Sequence, residues 1–507
     1  MNQSATSSLG YDVAIVGLGP VGATLANILG QAGVRVVVLE REAAAYHLPR
    51  AVHFDDEVMR LFQSIGLAET LLPYLALSTG MRFLDPAGRI ILDWSRLHPI
   101  KPHGWNASYR FHQPELEDVL RRGLTRWPSV TVRTRCEAFA VEQHANGVVV
   151  RFEDLGSGRL YAVNARYVVG CDGARSLIRR LIGSGLVDLG FHERWLVIDA
   201  ILKRPRPDLG DISLQFCDPE RPATYVRGVG DRRRWEITLK DDEPTPQMSD
   251  GARVWSLLQR WITPDDAELE RSAVYTFHSV IAERWRSGRL LIAGDAAHQT
   301  PPFLGQGMCA GMRDVANLGW KLVGVLRGEF ADDLLDSYQT ERFPHVREYI
   351  ELAVKLGGII NTRAADVALP NTSKTAGDTL QLRVDKPRLG RAFHWGQSDL
   401  LGRLITQPTL SDGARLDDRV GTRFCLLIDR ELAGSMTSAF ARDLEARDIV
   451  CVDSSHPEVR DWLHATGHNA VLARPDRYVF GAADNEAELA ELLAALAAKA
   501  PAHRAVS

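Results

Sequence analysis

The chain has 507 residues, 45% hydrophobic and 24% charged, the mixture of a soluble globular protein, and at about 150 residues per domain it should hold roughly three domains. Sixty Lys plus Arg against 64 Asp plus Glu give a net charge of −4 and a pI near 6.4, with no basic footprint for nucleic acid or an anionic membrane surface. Six scattered cysteines show neither a C-x-x-C pair nor metal-ligand spacing, the opening MNQSATSSLG lacks a signal-peptide pattern, and no apolar run reaches about 18 residues; the expectation is a cytoplasmic protein with no metal and no membrane span.

After a flexible tail over residues 1–10, DVAIV, GLGPVG, ATLANILGQAG and VRVVVLE read as strand, glycine turn, helix and strand, with Gly33 at the helix C-terminus. Val58, Leu61, Phe62 and Ile65 have helical period between Asp55 and Gly66, and a second helix is expected from Glu115 to Leu124. Residues 129–169 alternate around the turn signals HANG and LGSG, a small antiparallel meander that ends in the buried-strand pattern RYVVG. WLVIDAIL, ATYVRGVG and RRWEITLK predict a second sheet over 186–280. RLLIAG is then a buried strand leading into a helix with Met308, Met312, Val315, Leu318, Leu322 and Val325 on one face. Residues 356–405 read as a linker region, and 406–507 as a separate α/β unit with helices near 437–446 and 485–499.

Three segments carry chemistry. Gly17-Leu18-Gly19-Pro20-Val21-Gly22 joins a strand to a helix: Gly17 permits the tight turn, Gly19 lets a pyrophosphate approach the backbone, and Gly22 lets helix and strand pack closely. The helix N-terminus favours phosphate, and Glu40, beside Arg41 at the end of the next strand, can accept bonds from an adenosine ribose. By itself this fingerprint does not separate FAD from NAD. In VVGCDGARSLIRRLIG, Asp172-Gly173 precedes a helix, so Asp172 is either a helix cap or a cofactor contact. In RLLIAGDAAHQTPPFLGQGMCAGMRD, Asp295 follows Gly294 at a strand end and can accept bonds from ligand hydroxyls. The helix opening at Gly305-Gln306-Gly307 can face a group that becomes anionic.

Together these segments resemble the class A flavoprotein aromatic hydroxylases, the p-hydroxybenzoate hydroxylase superfamily, over about residues 10–350. Within it PRAVHFDDE, MRFLDPAGR, FCDPERP and PPFLGQGMCAGMRD are most similar to the 3-(3-hydroxyphenyl)propionate, resorcinol and phenol hydroxylases. The resemblance implies an α/β fold: a Rossmann-like FAD-binding domain of glutathione-reductase type (11–185 and 281–355), an inserted β-sheet substrate domain (186–280) and a thioredoxin-like C-terminal domain (406–507) that often supports dimer contacts. It implies that the glycine fingerprint binds the ADP part of FAD, that Asp172-Gly173 serves FAD and NAD(P)H, and that Gly294-Asp295 binds the ribityl chain. It further implies that Arg50 and Gln113 lie at the flavin, with Pro302, Gly305, Gln306, Gly307, Met308 and Cys309 forming the loop beneath it. Where p-hydroxybenzoate hydroxylases carry Lys-Gly-Leu-Asn, this chain has Gln306-Gly307-Met308-Cys309, so any role of that asparagine side chain is lost or replaced.

The implied activity is hydroxylation of a phenol ortho to its hydroxyl by NADH or NADPH and O2, through a flavin C4a-hydroperoxide, with no nucleophile–base dyad. Tyr225 and Arg227 alternate onto one strand face, where Tyr225 could relay a phenolic proton and Arg227 could bind a carboxylate or nucleotide; packing or surface roles compete with both readings. Arg232, Arg233 and Arg234 read as a solvated turn, His298 as a residue that caps or packs its loop, and Cys425 and Cys451 as small buried hydrophobes. The competing functions are hydroxylation of an aromatic polyketide, a flavin dehydrogenase or oxidase, and a nonenzymatic flavin sensor.

Overall fold

A computed structural model describes residues 10–45, 50–95, 102–361, 372–374, 380–382 and 385–499; most of the expected N-terminal tail lies outside the described residues. Its first sheet is built on strands whose side chains are apolar on both faces. Tyr11–Val16 pairs in parallel with Val36–Glu40 on one side and with Arg159–Gly170 on the other, and Leu290–Ile292 and Val130–Thr134 extend the two flanks in parallel. The chain thus leaves its first strand in one direction and returns on the opposite side, the switch point at which an open α/β sheet forms a crevice. Cys136–His144 and Gly147–Asp154 form the expected meander with Arg159–Gly170, and helices Pro20–Gln31 and Gly307–Leu326 pack together on this sheet.

The second sheet is larger than its predicted range. Its ten strands follow the spatial order His298–Gln299, Ala267–Ala282, Leu186–Leu202, Arg232–Thr238, Ala223–Arg227, Ser213–Phe216, Gly80–Leu84, Ile90–Ser95, Leu380–Leu382 and Thr372–Lys374. Strands from residues 80–95 and from the expected linker therefore complete it. The 356–405 stretch reads as a linker because it is less periodic, with Gly, Pro, Thr and Asn. It contains the end of helix Asp336–Asn361 and that last hairpin, and it buries Leu389, Phe393, Leu401 and Ile405.

Period-two alternation sorts this sheet into two faces. Leu196, Ile198, Tyr225, Trp235 and Ile237 pack outward beneath helix Gly251–Leu258. Phe83, Trp195, Phe303, Tyr349 and Leu356 form the inward cluster, closed by helix Asp336–Asn361 and the loop that precedes Gly307.

The C-terminal unit holds a four-stranded sheet in the order Val450–Asp453, Cys425–Ile428, Ala470–Ala473, Val479–Ala483, with one parallel pair and two antiparallel ones. Helices Ser438–Ala446 and Glu486–Lys499 fall where periodicity placed them. Buried ions join this unit to the first sheet's helices. Asp417 accepts from Arg60 Nε at 2.5 Å and from Arg477 Nε at 2.9 Å, and Glu341 takes both Lys321 Nζ and Arg474 Nη1 at 2.7 Å. Among the described residues no helix is long and apolar enough to cross a membrane, and no cluster of His, Cys, Asp and Glu could hold a metal.

Removing Asp417 would leave two guanidinium groups buried against each other. Asp417→Ala should cost about 3–5 kcal/mol of stability, read as a lower urea midpoint than wild type; an unchanged midpoint would show that Asp417 carries none of the junction.

Candidate active site

The carboxyl ends of the parallel strands bring the predicted segments together. Val16 lies beside both Leu39 and Gly170, and Gly170 lies beside Ile292, so the Gly17–Gly22 turn, Glu40, Asp172 and Asp295 all follow adjacent strand ends. Gly17 has φ +101°, and a Cβ there would meet the Cys171 carbonyl oxygen at 2.4 Å; a Cβ on Gly22 would meet the Gly17 carbonyl oxygen at 2.1 Å. A Cβ on Gly19 would meet nothing within 4 Å, which marks its face as open. Pro20 and Val21 begin helix Pro20–Gln31 with Gly19 as its cap and no capping side chain, so its N-terminal amides are available to an anion.

Glu40 is buried and fixes this turn, accepting the Leu18 N–H at 2.6 Å on Oε2 and the Glu42 N–H at 2.8 Å on Oε1. Each oxygen keeps acceptor capacity for a ribose hydroxyl. Arg41 lies on the exposed surface, paired with Glu42 at 3.1 Å. Gln113 acts as a clamp: its Oε1 accepts the N–H groups of Arg50 at 2.8 Å and Ala51 at 2.7 Å, while its Nε2 donates to Glu117 at 2.7 Å. The Arg50 carbonyl in turn accepts from Arg234 Nη1 at 2.7 Å.

Asp172 caps a helix: its carboxylate accepts Leu177 N–H at 2.7 Å, Ile178 N–H at 3.2 Å and Ser176 Oγ–H at 2.5 Å. Of its two readings, this is the one the geometry displays. Asp295 differs, because its side chain makes no hydrogen bond among the described residues. Water reaches it, yet surrounding protein pushes its carboxyl pKa up, while the charges of His298 and Arg50 pull it down. A carboxyl that is crowded and wet at once stands in a cleft, and Arg50 faces the same cleft. Asp314 holds that cleft's edge. Its Oδ2 accepts the Gly294 N–H at 3.0 Å and His298 Nε2–H at 2.6 Å, and its Oδ1 accepts Arg342 Nε–H at 2.9 Å, all buried. His298 packs the loop, as expected.

Pro302 lies in a short turn ending at Gly305, whose φ is +64°. The Gln306 side chain turns away from the cleft, accepting from Arg313 Nη1 at 2.9 Å, and Cys309 is buried. Arg313 also donates to Asp55 and, at 2.7 Å, to Glu57. What the loop leaves open is backbone: a Cβ on Gly307 would meet nothing within 4 Å, and Gly307 and Met308 open the 20-residue helix Gly307–Leu326. The departure at Gln306-Gly307-Met308-Cys309 therefore leaves the amide cradle in place.

Tyr225 and Arg227 are not brought to this cleft. They share a face, but it is the outward one: Tyr225 packs on Trp235 at 5.4 Å between ring centroids, and Arg227 pairs with Asp211 at 3.1 Å and donates to the carbonyls of Gly228 and Gly230. Alternation gives which residues share a face; only the packing of helix Gly251–Leu258 decides which face is inward. Arg234 is not on a solvated turn either. It is a buried strand residue held by Asp199 at 2.7 Å, and Asp199 also holds Arg271 at 2.9 Å. Reading charge runs as solvated hid Arg234; Asp314 ends the string PPFLGQGMCAGMRD but was given no role, and Glu236, on the inward face, carried no motif.

The family described as FAD binding domain matches residues 10–353, and the HcaD C-terminal domain family matches 402–499. The chain is 39% identical to a probable NADH-specific resorcinol 4-hydroxylase of Rhodococcus jostii (strain RHA1), over 96% of this chain and 95% of that one. It is 35% identical to a 3-(3-hydroxy-phenyl)propionate/3-hydroxycinnamic acid hydroxylase of Mycobacterium avium (strain 104), over 93% and 89%. Its fold is shared with the flavin-dependent monooxygenase PieE, with a TM-score of 0.80 and 21% identity over 97% and 99% of the two chains. It is also shared with aklavinone-11 hydroxylase, at 0.79 and 23% over 98% and 99%. The open glycine backbone, the uncapped helix N-termini and the unpartnered Asp295 fit FAD.

Asp295→Ala should weaken FAD retention about 10- to 100-fold, the worth of a charge-assisted hydrogen bond, with an unchanged circular dichroism spectrum; flavin content equal to wild type after gel filtration would remove Asp295 from the site. Burial and the nearby Arg232 and Arg234 charges hold His112, next to the clamp, at a pKa of about 4, against 6.5 when exposed. A lowered folded pKa favours the neutral ring, so this stability is complete above pH 6.5 and is lost as pH falls through 4. His112→Asn should flatten the loss of unfolding free energy between pH 7 and 4, and parallel profiles for the two proteins would refute it.

Proposed function

The chain belongs to the FAD binding domain family and is an FAD-dependent aromatic hydroxylase, and on that premise we propose that it hydroxylates a single-ring phenol ortho to its hydroxyl, with NADH as the preferred reductant. The observation that carries this reading is the set of strand-end loops converging on one cleft, with Asp295 unpartnered inside it. FAD, when bound, supplies the redox chemistry: it takes hydride from the nicotinamide and activates O2.

The chain's part is to bind, orient and exclude water. The turn Gly17–Gly22 and the N-terminus of helix Pro20–Gln31 hold the pyrophosphate, Glu40 takes the ribose, and Asp295 takes the ribityl hydroxyls. The N-terminus of helix Gly307–Leu326 supplies amides and a partial positive charge where the flavin ring gathers negative charge. Phe303, Trp195 and Phe83 form an apolar wall that keeps water from the reacting ring. In this reading residues 186–280 form most of the substrate domain, and 406–507 serve as a thioredoxin-like support docked on the FAD-binding helices by Asp417 to Arg60 and by Arg474 to Glu341.

The test is anaerobic reduction of the bound flavin by NADH or NADPH, followed at its absorption band with and without phenols. We expect one small phenol to accelerate reduction about tenfold or more and to yield a dihydroxylated or trihydroxylated ring in air. Fast reduction regardless of phenol, with no oxygenated product, would replace a hydroxylase with a reductase or oxidase.

A further inference from the structure

The inward face of the ten-stranded sheet carries one polar row. Strand register sets Gln215 beside Thr224, Thr224 beside Glu236, and Glu236 beside Val197. The residues flanking Glu236 in the chain, Trp235 and Ile237, point outward into the opposite core. One step along the face from Glu236, Trp195 packs on Phe303 of the flavin loop, with ring centroids 5.6 Å apart. One step the other way, Arg234 donates to the Arg50 carbonyl at 2.7 Å. The row thus runs between the two segments that bound the flavin cleft.

Within it, Gln215 and Thr224 satisfy each other: Thr224 Oγ1–H donates to Gln215 Oε1 at 2.6 Å, and Gln215 Nε2 donates to the Ala223 carbonyl at 3.1 Å. Glu236 has no such match. It is 8% exposed, its side chain makes no hydrogen bond among the described residues, and its charged neighbour Arg234 stands 3.8 Å away. Burial raises its pKa. Buried polar groups in folded proteins are normally hydrogen-bonded, and a site built to bond a substrate hydroxyl rejects analogues that lack it.

We propose that Glu236 determines substrate choice by hydrogen-bonding a second hydroxyl of a dihydroxybenzene bound in the flavin cleft. This rests on the phenol hydroxylase reading and narrows it.

The test compares resorcinol, 3-methylphenol and 3-(3-hydroxyphenyl)propionate on the purified FAD-loaded enzyme, reading product, KM, and the dissociation constant from the flavin spectrum. For wild type, kcat/KM should favour resorcinol over 3-methylphenol by about tenfold or more. Glu236→Ala should weaken resorcinol binding about 10- to 100-fold while moving 3-methylphenol by no more than about threefold, at unchanged flavin content. Glu236→Gln keeps the shape and a hydrogen-bonding group, and it should bind resorcinol within about tenfold of wild type. Equal losses for resorcinol and 3-methylphenol in Glu236→Ala, or resorcinol binding in Glu236→Gln as weak as in Glu236→Ala, would each overturn the assignment. Product from the propionate with resorcinol inert would overturn only this inference, whereas no product from any phenol would overturn the hydroxylase reading with it.

Discussion

A carboxylate sealed from water, Asp314, decides where Asp295 must stand. It gathers the Gly294 N–H, the His298 ring and the Arg342 guanidinium around two oxygens, so the strand that ends at Ile292 can turn in only one way. Asp295, the next residue after Gly294, is left as the acceptor in the cleft. A buried ion with three donors tolerates little displacement, because losing any one leaves a charge or an amide unpaired in a low-dielectric interior. The order of the site begins with a residue that touches no ligand.

Arg313, adjacent to Asp314 on the same helix, serves the other side. It ties Gln306 of the loop to Asp55 and Glu57, and Glu57 accepts from the Tyr478 hydroxyl of the C-terminal unit at 2.8 Å. Lys386 closes the group on Asp56 at 2.6 Å. Two neighbouring residues of one helix therefore fix both edges of the flavin cleft and the seat of the C-terminal unit. Such networks add little net stability relative to an apolar core, but they penalise every other arrangement of the loops they join.

The cofactor half of this site was legible because its signals are local. A glycine with φ +101°, a glycine whose Cβ would strike a carbonyl, and an acid three residues beyond a strand all sit within short motifs. The substrate half was not, because its partners are distant in sequence: Arg234 finds Asp199 35 residues earlier, and Glu236 is defined by a row drawn from four strands. Tyr225 looked chemical and is core, while Glu236, two residues on from Arg234, drew no reading at all. In the same way the Pro- and Gly-rich composition of 356–405 concealed that Leu380–Leu382 has a sheet edge to complete.

That edge strand also sets a timetable for synthesis. Leu380 pairs with Leu92, 288 residues earlier, and Gly80–Leu84 must wait for Ser213–Phe216 before it has a neighbour on its other side. At about 5–20 residues per second, the Ile90–Ser95 edge leaves the ribosome roughly 15–60 s before its outer partner does. During that interval Leu92 and Trp94 belong to an open, partly apolar strand, the kind of edge that invites pairing with another chain. The sheet edge beside Phe83 is thus among the last surfaces of the molecule to close.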